Sequence, residues 1–532
     1  MEHVDRETET ESMAAEQETK TKLRRLLLPQ LIVTCVCGAV AMTCGMNIGH
    51  SAVLIPRLQQ NDSTIPIDDE IGSWIASVFS IGSPVGNIIG GCLADKLGRR
   101  KILRFALILY ILGWSLLATA QSYQLIIATR LISGIARGMS ADTLLVLLDE
   151  HSDAHLRGIN YMHVTASYVV GMLIISGIGT VLNWRAATGV AIIFLITVFI
   201  ATWALPESPI WLVRNGKTHE ASRILEKAWG KHQKDQARQE LGIMVSRCHK
   251  ENTMLLSTLL QPHVIKSFVI AFLLIILQIC SGVHVFITYS VDVVSRARHG
   301  SQDLLDEYAV TNIAGFLRFA VIIMMAWFSL EFKRRTIVLS SAIASGICLL
   351  ILGTVITVNS TNNLMSERSM SWIVILLIFL YITISTGGVF AFPVAFVGEL
   401  VPSKIRGMAS GVIFAVTEVI LGGVLKCSPF MWSTMGIHGM FWLFGFFCFL
   451  FALYVFLFVP ETHNRTLVEV EEYFQGHNIL WQNRPKKFRK EKSVQESIIR
   501  QNIPNVLEGN NTVYVKLRET EHSETQCSNN GL

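Results

Sequence analysis

Apolar residues along this 532-residue chain gather into long runs, and polar, charged segments separate them. A hydrocarbon core of about 30 Å needs about 20 apolar residues in a helix, so runs of that size read as membrane-crossing helices. Twelve can be marked, at 27–51, 70–93, 102–120, 123–147, 160–181, 185–205, 264–290, 308–329, 336–358, 370–398, 408–428 and 436–459. One long polar insert divides the sixth run from the seventh. The pattern predicts an all-α membrane protein: an N-terminal tail (1–26), a six-helix half (27–205), a linker (206–263), a second six-helix half (264–459) and a C-terminal tail (460–532). The first run is too long for a cleaved leader and lacks a cleavage site, so it is expected to remain as a membrane helix.

Composition agrees with the pattern. Hydrophobic residues make up 51% of the chain and charged residues only 16%, with mean hydropathy +0.45, which excludes an ordinary soluble domain. The net charge of +5 does not point to nucleic acid, because the Lys and Arg residues cluster between the apolar runs. Cytoplasmic loops retain positive charge, and this places both termini inside. The outer loops then hold only Arg57, Arg185, Arg296, Arg298, Arg368 and Lys426 of 45 basic residues. The sequons at Asn61 and Asn359 fall in the first and fifth outer loops, where glycosylation is expected, and those at Asn464 and Asn510 face inward. Plasma membrane is the expected location. Of the ten cysteines, Cys35, Cys37, Cys44, Cys92, Cys280, Cys348, Cys427 and Cys448 lie in or at the edges of apolar runs without metal-ligand or disulfide-framework spacing and read as packing residues. Within the linker, 219–247 alternates charged and apolar residues at helical spacing, which predicts short amphipathic helices. The tail beyond about 475 is polar and predicts disorder; its basic stretch from Lys486 to Lys490 is suited to anionic lipid headgroups or to plain solvation.

The two halves repeat one another. Glu150 precedes Arg157-Gly158 by seven residues, and Glu399 precedes Arg406-Gly407 by seven. Gly98-Arg99-Arg100 after the second run is echoed by Lys333-Arg334-Arg335 after the eighth, and Pro206-Glu207-Ser208 by Pro460-Glu461-Thr462. Two parallel six-helix halves related by an axis along the membrane normal account for such a repeat. All six marks fall on the cytoplasmic side.

These residues, with Leu205-Pro206-Glu207-Ser208-Pro209, Gln278, Ser281-Gly282 and Gly398-Glu399, give a chain that resembles the sugar porters of the major facilitator superfamily over roughly 28–474. Gly72-Ser73-Trp74 and the stretch His438 to Trp442 are most similar to the insect facilitated trehalose transporters. The resemblance implies facilitative transport of a sugar, trehalose or a hexose such as glucose, by alternating access. It also implies an inner-gate charge network of Arg99, Arg100, Glu150, Arg157, Glu207, Arg334, Arg335, Glu399, Arg406 and Glu461, with ion pairs that hold the inner side closed and break as the halves rock. Carried to the matching positions, it places Gln278, Ser281, His284, Thr165, Asn47, Thr417 and Glu418 at the solute.

The chain departs from the family at several of those positions. The usual Gln-Gln-x-Ser-Gly-x-Asn reads Gln278-Ile279-Cys280-Ser281-Gly282-Val283-His284, the tryptophan of the tenth helix is Val394, and the Asn-Trp pair of the eleventh is Thr417-Glu418. Ionisable groups in apolar runs, Arg130, Arg318, Glu418 and a protonated His284, invite a functional role because charge is costly there. Arg130 is expected to support the gate from the cytoplasmic half of its helix; Arg318 and Glu418 either pair or line the cavity. Asn47, where proton-coupled relatives carry an aspartate, cannot titrate and favours uniport. Two other functions stay open, a carrier of another polar solute and a sugar receptor that does not transport. No phosphate-binding loop, nucleophile elbow or metal-ligand cluster appears, so neither an enzyme nor a cofactor is expected. The expected partners are a small-molecule solute and membrane lipid; no signal for an oligomeric state is present.

Overall fold

The computed structural model of the chain describes residues 2–60, 65–151, 157–229, 241–242, 245, 261–297, 306–362, 366–402, 406–463, 469–470 and 473–474, with side chains throughout except at 2–29, 157–159, 227–229, 329–330 and 406–408. The described residues form helices long and apolar enough to cross a membrane at Gln30–Gln59, Asp69–Leu97, Arg99–Ala118, Tyr123–His151, Asn160–Val181, Trp184–Ala204, Pro262–Cys280, Glu307–Phe328, Arg334–Asn362, Glu367–Leu400 and Ala409–Phe458. The last of these 11 stretches is 50 residues long. Gly436 breaks it with φ 71° and ψ 165°, so it supplies the eleventh and twelfth crossings. The helices are called spans one to twelve below.

Local chemistry sets the span ends. Asp68 caps the second span by accepting from the Ile71 amide at 2.7 Å, and Asn183 caps the sixth by accepting from the Ala186 amide at 2.8 Å. Two spans are broken where the backbone requires it. The seventh stops at Cys280, turns at Gly282 with φ 85°, and resumes as Val283–Thr288 and Ser290–Ala297. Phe444 of the twelfth span fills the space a side chain at Gly282 would need. The tenth passes from Glu367–Ser385 through a π-helical turn, Thr386–Phe390, into Phe392–Leu400. Pro393, which lacks an amide hydrogen, starts that last piece.

Spans one to six and seven to twelve form two halves. They meet where the second span packs on the eleventh, the fifth on the eighth and the first on the seventh. Inside the first half, Val40, Leu103, Tyr110, Trp114 and Leu147 are buried together. Ile88, Ile193, Leu376 and Phe456 are each about 60% exposed, which suits a lipid-facing surface in a multi-pass membrane protein.

Two differences from the sequence expectation stand out. The polar N-terminal stretch continues the first span as a single helix, Glu2–Gln59, because its Glu, Lys and Ala residues are good helix formers. Asn359 does not lie in a loop: the ninth span runs to Asn362, and the hydroxyls of Ser360 and Thr361 donate back to the Thr357 carbonyl at 2.8 and 3.1 Å. Beyond the sixth span, Ser208 caps a short helix, Pro209–Arg214, whose Trp211, Leu212 and Val213 pack with Ala221 of the amphipathic helix Thr218–Trp229. The rest of the expected linker helix, Asn61, Asn464, Asn510, the Lys486–Lys490 cluster and the tail beyond 475 lie outside the described residues, apart from the isolated positions above.

Candidate functional site

The repeated charges gather at one end of the bundle. Arg99 Nε lies 3.3 Å from Glu150 Oε2 and its Nη2 3.0 Å from Asp95 Oδ1. Glu207 Oε1 accepts from the backbone amides of Arg100 at 3.1 Å and Ser208 at 3.2 Å, and Arg100 Nη1 donates to the Leu205 carbonyl at 3.1 Å. Gly98 makes that approach possible: its φ is 101°, and a Cβ there would sit 2.5 Å from Glu207 Oε2. In the second half Arg334 pairs with Glu399, and Arg335 donates to the carbonyls of Val455 and Phe456. Glu461 Oε1 accepts from the His463 amide at 3.0 Å. Arg99 with Glu150, and Arg334 with Glu399, are thus the same pair in each half, joining the third span to the fourth and the ninth to the tenth.

Every one of these contacts lies within a half, so in this conformation they brace each half rather than bolt the two together as expected. Arg157 and Arg406 open the fifth and eleventh helices, with side chains outside the described set. Bridges between halves occur at the opposite end. Arg296 of the seventh span lies 3.3 Å from Asp69 of the second, and Lys426 of the eleventh donates to Ser73 Oγ at 2.8 Å above the Trp74 ring.

Midway through the bundle, Arg137 of the fourth span forms an ion pair with Glu418 of the eleventh at 2.6 Å, their side chains only 16% and 13% exposed. Arg137 also donates to Ser83 Oγ at 3.1 Å and lies over the Phe79 ring. This pair crosses between halves and gives Glu418 a partner other than Arg318. Arg130 is fully enclosed and donates to the Asn47 carbonyl at 2.8 Å, Asn47 Oδ1 at 3.1 Å, the Ile75 carbonyl at 3.3 Å and Ser51 Oγ. It lies near the start of Tyr123–His151, about 30 Å along the helix from Glu150 at 1.5 Å per residue, so it braces the first, second and fourth spans far from the charge network. The expected gate-supporting position is therefore corrected.

Of the remaining solute candidates, Gln278 is 4% exposed and its amide makes no side-chain hydrogen bond among the described residues. The His284 ring lies 6.0 Å from that of Phe390, tilted by 58°. Thr165, Ser281 and Thr417 donate to the carbonyls of Tyr161, Gln278 and Ile413 at 2.9, 2.6 and 2.8 Å. Each hydroxyl keeps its acceptor lone pairs for a further partner.

One cavity between the halves encloses about 450 Å³ of space not filled by atoms, open solvent included. Its walls come from the first and fifth spans on one side and the seventh, eighth and tenth on the other. None of the expected solute ligands lines it; Arg318 does. Sequence inspection missed Arg137 and the hydroxyls of this cavity. Arg137 carried a signal, since it lies two helical turns from Arg130 in the same apolar run.

The family described as sugar (and other) transporter matches residues 31–474. The facilitated trehalose transporter Tret1 of Polypedilum vanderplanki is 29% identical over 458 residues, 84% of this chain and 89% of that protein. That of Anopheles gambiae is 26% identical over 474 residues, 86% of this chain, which spans only 59% of that longer relative. Among solved structures, the inward-open xylose transporter XylE from E. coli is similar with TM-score 0.67 and 20% identity, over 84% of this chain and 99% of that one. The human organic anion transporter MFSD10 is similar with TM-score 0.53 and 13% identity, over 80% and 99%. Likeness at these identities establishes the major facilitator fold.

Proposed function

We propose a function for this chain from the family to which it belongs, the sugar (and other) transporters: it is a facilitative carrier that moves a sugar, trehalose or a hexose such as glucose, by alternating access. The observation that carries this assignment is the cavity with walls from both halves, because a solute bound there touches two bodies that can rock about it. The relatives named as facilitated trehalose transporters support the solute class. Asn47 supports uniport: Arg130 is held by a neutral amide and carbonyl, leaving no carboxylate to load and unload a proton at that position.

Within this scheme the braced halves are the moving bodies, and Arg99–Glu150 and Arg334–Glu399 keep each rigid. Arg157, Arg406 and Glu461 are assigned to the same inner gate. Gln278, with a buried amide free to make directional bonds, is the first solute ligand assigned, followed by His284, Ser281, Thr165, Thr417 and Asn47; none of them lines the cavity in this conformation, so they are assigned to the solute in another stage of the cycle. Glu418 contributes through its pair with Arg137. Both termini are assigned to the cytoplasm of a plasma-membrane protein, with Asn61 as the outward glycosylation site; Asn359, in the last helical turn, is the poorer acceptor.

Uptake of radiolabelled trehalose and glucose into proteoliposomes, at acidic and neutral pH, tests the assignment. Saturable, pH-independent uptake that falls at least tenfold in Gln278→Ala is expected. Lack of uptake of either sugar by correctly inserted protein would remove the sugar assignment.

A further inference from the structure

Arg318 sits midway along the eighth span, 7% exposed, on the wall of the cavity between the halves. Its guanidinium has no hydrogen-bond or ion-pair partner among the described residues, and no acidic residue lines the cavity. Glu418, the carboxylate that a sequence reading would offer it, is occupied by Arg137. An arginine stays charged at neutral pH, and an uncompensated charge inside a bilayer is costly enough that such residues pair or serve a pathway.

Three hydroxyls line the same cavity without a partner: Ser176 from the fifth span, Ser290 from the seventh and Thr311 from the eighth. Elsewhere in the spans, buried serine and threonine hydroxyls commonly donate back to a helix carbonyl, as Thr165, Ser281 and Thr417 do. These three do not, so both their donor and acceptor capacity is unspent. One cation and three hydroxyls, contributed by both halves, converge on one empty space.

We propose that this cavity binds a hydroxylated carboxylate, a sugar acid of the hexuronate type, with Arg318 taking the carboxylate and Ser176, Ser290 and Thr311 taking ring hydroxyls. The proposal rests on the carrier assignment above and extends its solute class from neutral sugars to acidic ones. The planar guanidinium matches a carboxylate with two parallel hydrogen bonds. The hydroxyl groups of the solute satisfy both the donors and the acceptors of the wall, which a bare inorganic anion cannot do.

The test uses the full chain, purified and reconstituted. Sodium glucuronate is expected to raise the melting temperature above that in sodium chloride of matched ionic strength, and labelled glucuronate is expected to enter liposomes saturably. In Arg318→Gln the ratio of glucuronate to glucose uptake is expected to fall at least tenfold, while Arg318→Lys, which keeps the charge, recovers part of it. Equal loss of both substrates would mean a structural role and overturn the proposal. Glucose uptake with neither transport of, nor competition by, glucuronate would overturn it and leave the carrier assignment standing. Absence of all uptake, with no stabilisation by glucuronate beyond that of chloride, would overturn both.

Discussion

Arg137 and Glu418 place two opposite charges in the middle of the membrane, and among the described residues neither has another ion pair. Removing one leaves the other buried and uncompensated, which costs about 3–5 kcal/mol. Glu418→Ala is therefore expected to lower the melting temperature sharply, and the double change Arg137→Met with Glu418→Leu to recover most of the loss. A double-mutant cycle on thermal stability in detergent checks this, and additive single effects would refute the coupling. The opposite sign is expected at Arg318. Since its charge has no described counter-ion, Arg318→Gln stabilises the unliganded chain by on the order of 1 kcal/mol or more. Gly98 gives a third case. Its φ of 101° and the carboxylate 2.5 Å from a would-be Cβ make Gly98→Ala destabilising by about 1–3 kcal/mol, whereas Gly91→Ala, with open space around it, is expected to be neutral or mildly stabilising. Comparing the folded yields of the two variants separates them.

The broken seventh span is the element on which the proposed solute ligands turn. Gln278 and Ser281 lie just before Gly282 and His284 just after it, so the kink sets the angle between the two groups. Gly282→Ala must adopt a left-handed φ and push against Phe444, at about 1–2 kcal/mol for the backbone alone. It is expected to reduce uptake more than it reduces the amount of inserted protein; equal reductions would mean that the kink serves folding only. The existence and order of the spans were legible in the sequence because each is a long apolar run, and Gly282 was visible within its motif. The ends were less legible. Asn359 looked like loop because five polar residues follow Val358, yet the hydroxyls of Ser360 and Thr361 satisfy helix carbonyls and the helix continues. Side-chain partners were illegible for a stronger reason: Arg137 meets Glu418 only after the halves fold against each other, and nothing in either apolar run encodes that register.

At the scale of the molecule, the charges divide between two jobs. Pairs inside a half, at the end that carries the sequence repeat, hold six helices as one body. Contacts across the halves, Arg296 with Asp69 and Lys426 with Ser73, close the opposite end. Neutralising that end with Asp69→Asn and Lys426→Gln is expected to favour opening there. A cysteine placed at Ser176 on the cavity wall should then react faster with a membrane-impermeant thiol reagent added from that side. These exposed ties contribute about 0–1 kcal/mol each, so a several-fold rate change is the expected size, and an unchanged rate would mean that they do not govern closure. The central claim, that one cavity is offered to each side in turn, is tested most directly by counterflow. Liposomes holding this chain are loaded with unlabelled sugar and diluted into a trace of the labelled sugar. A carrier is expected to give a transient accumulation of label above equilibrium, at the same height at acidic and neutral pH. Label that rises only to equilibrium, or does not enter, would contradict alternating access of a sugar through this cavity.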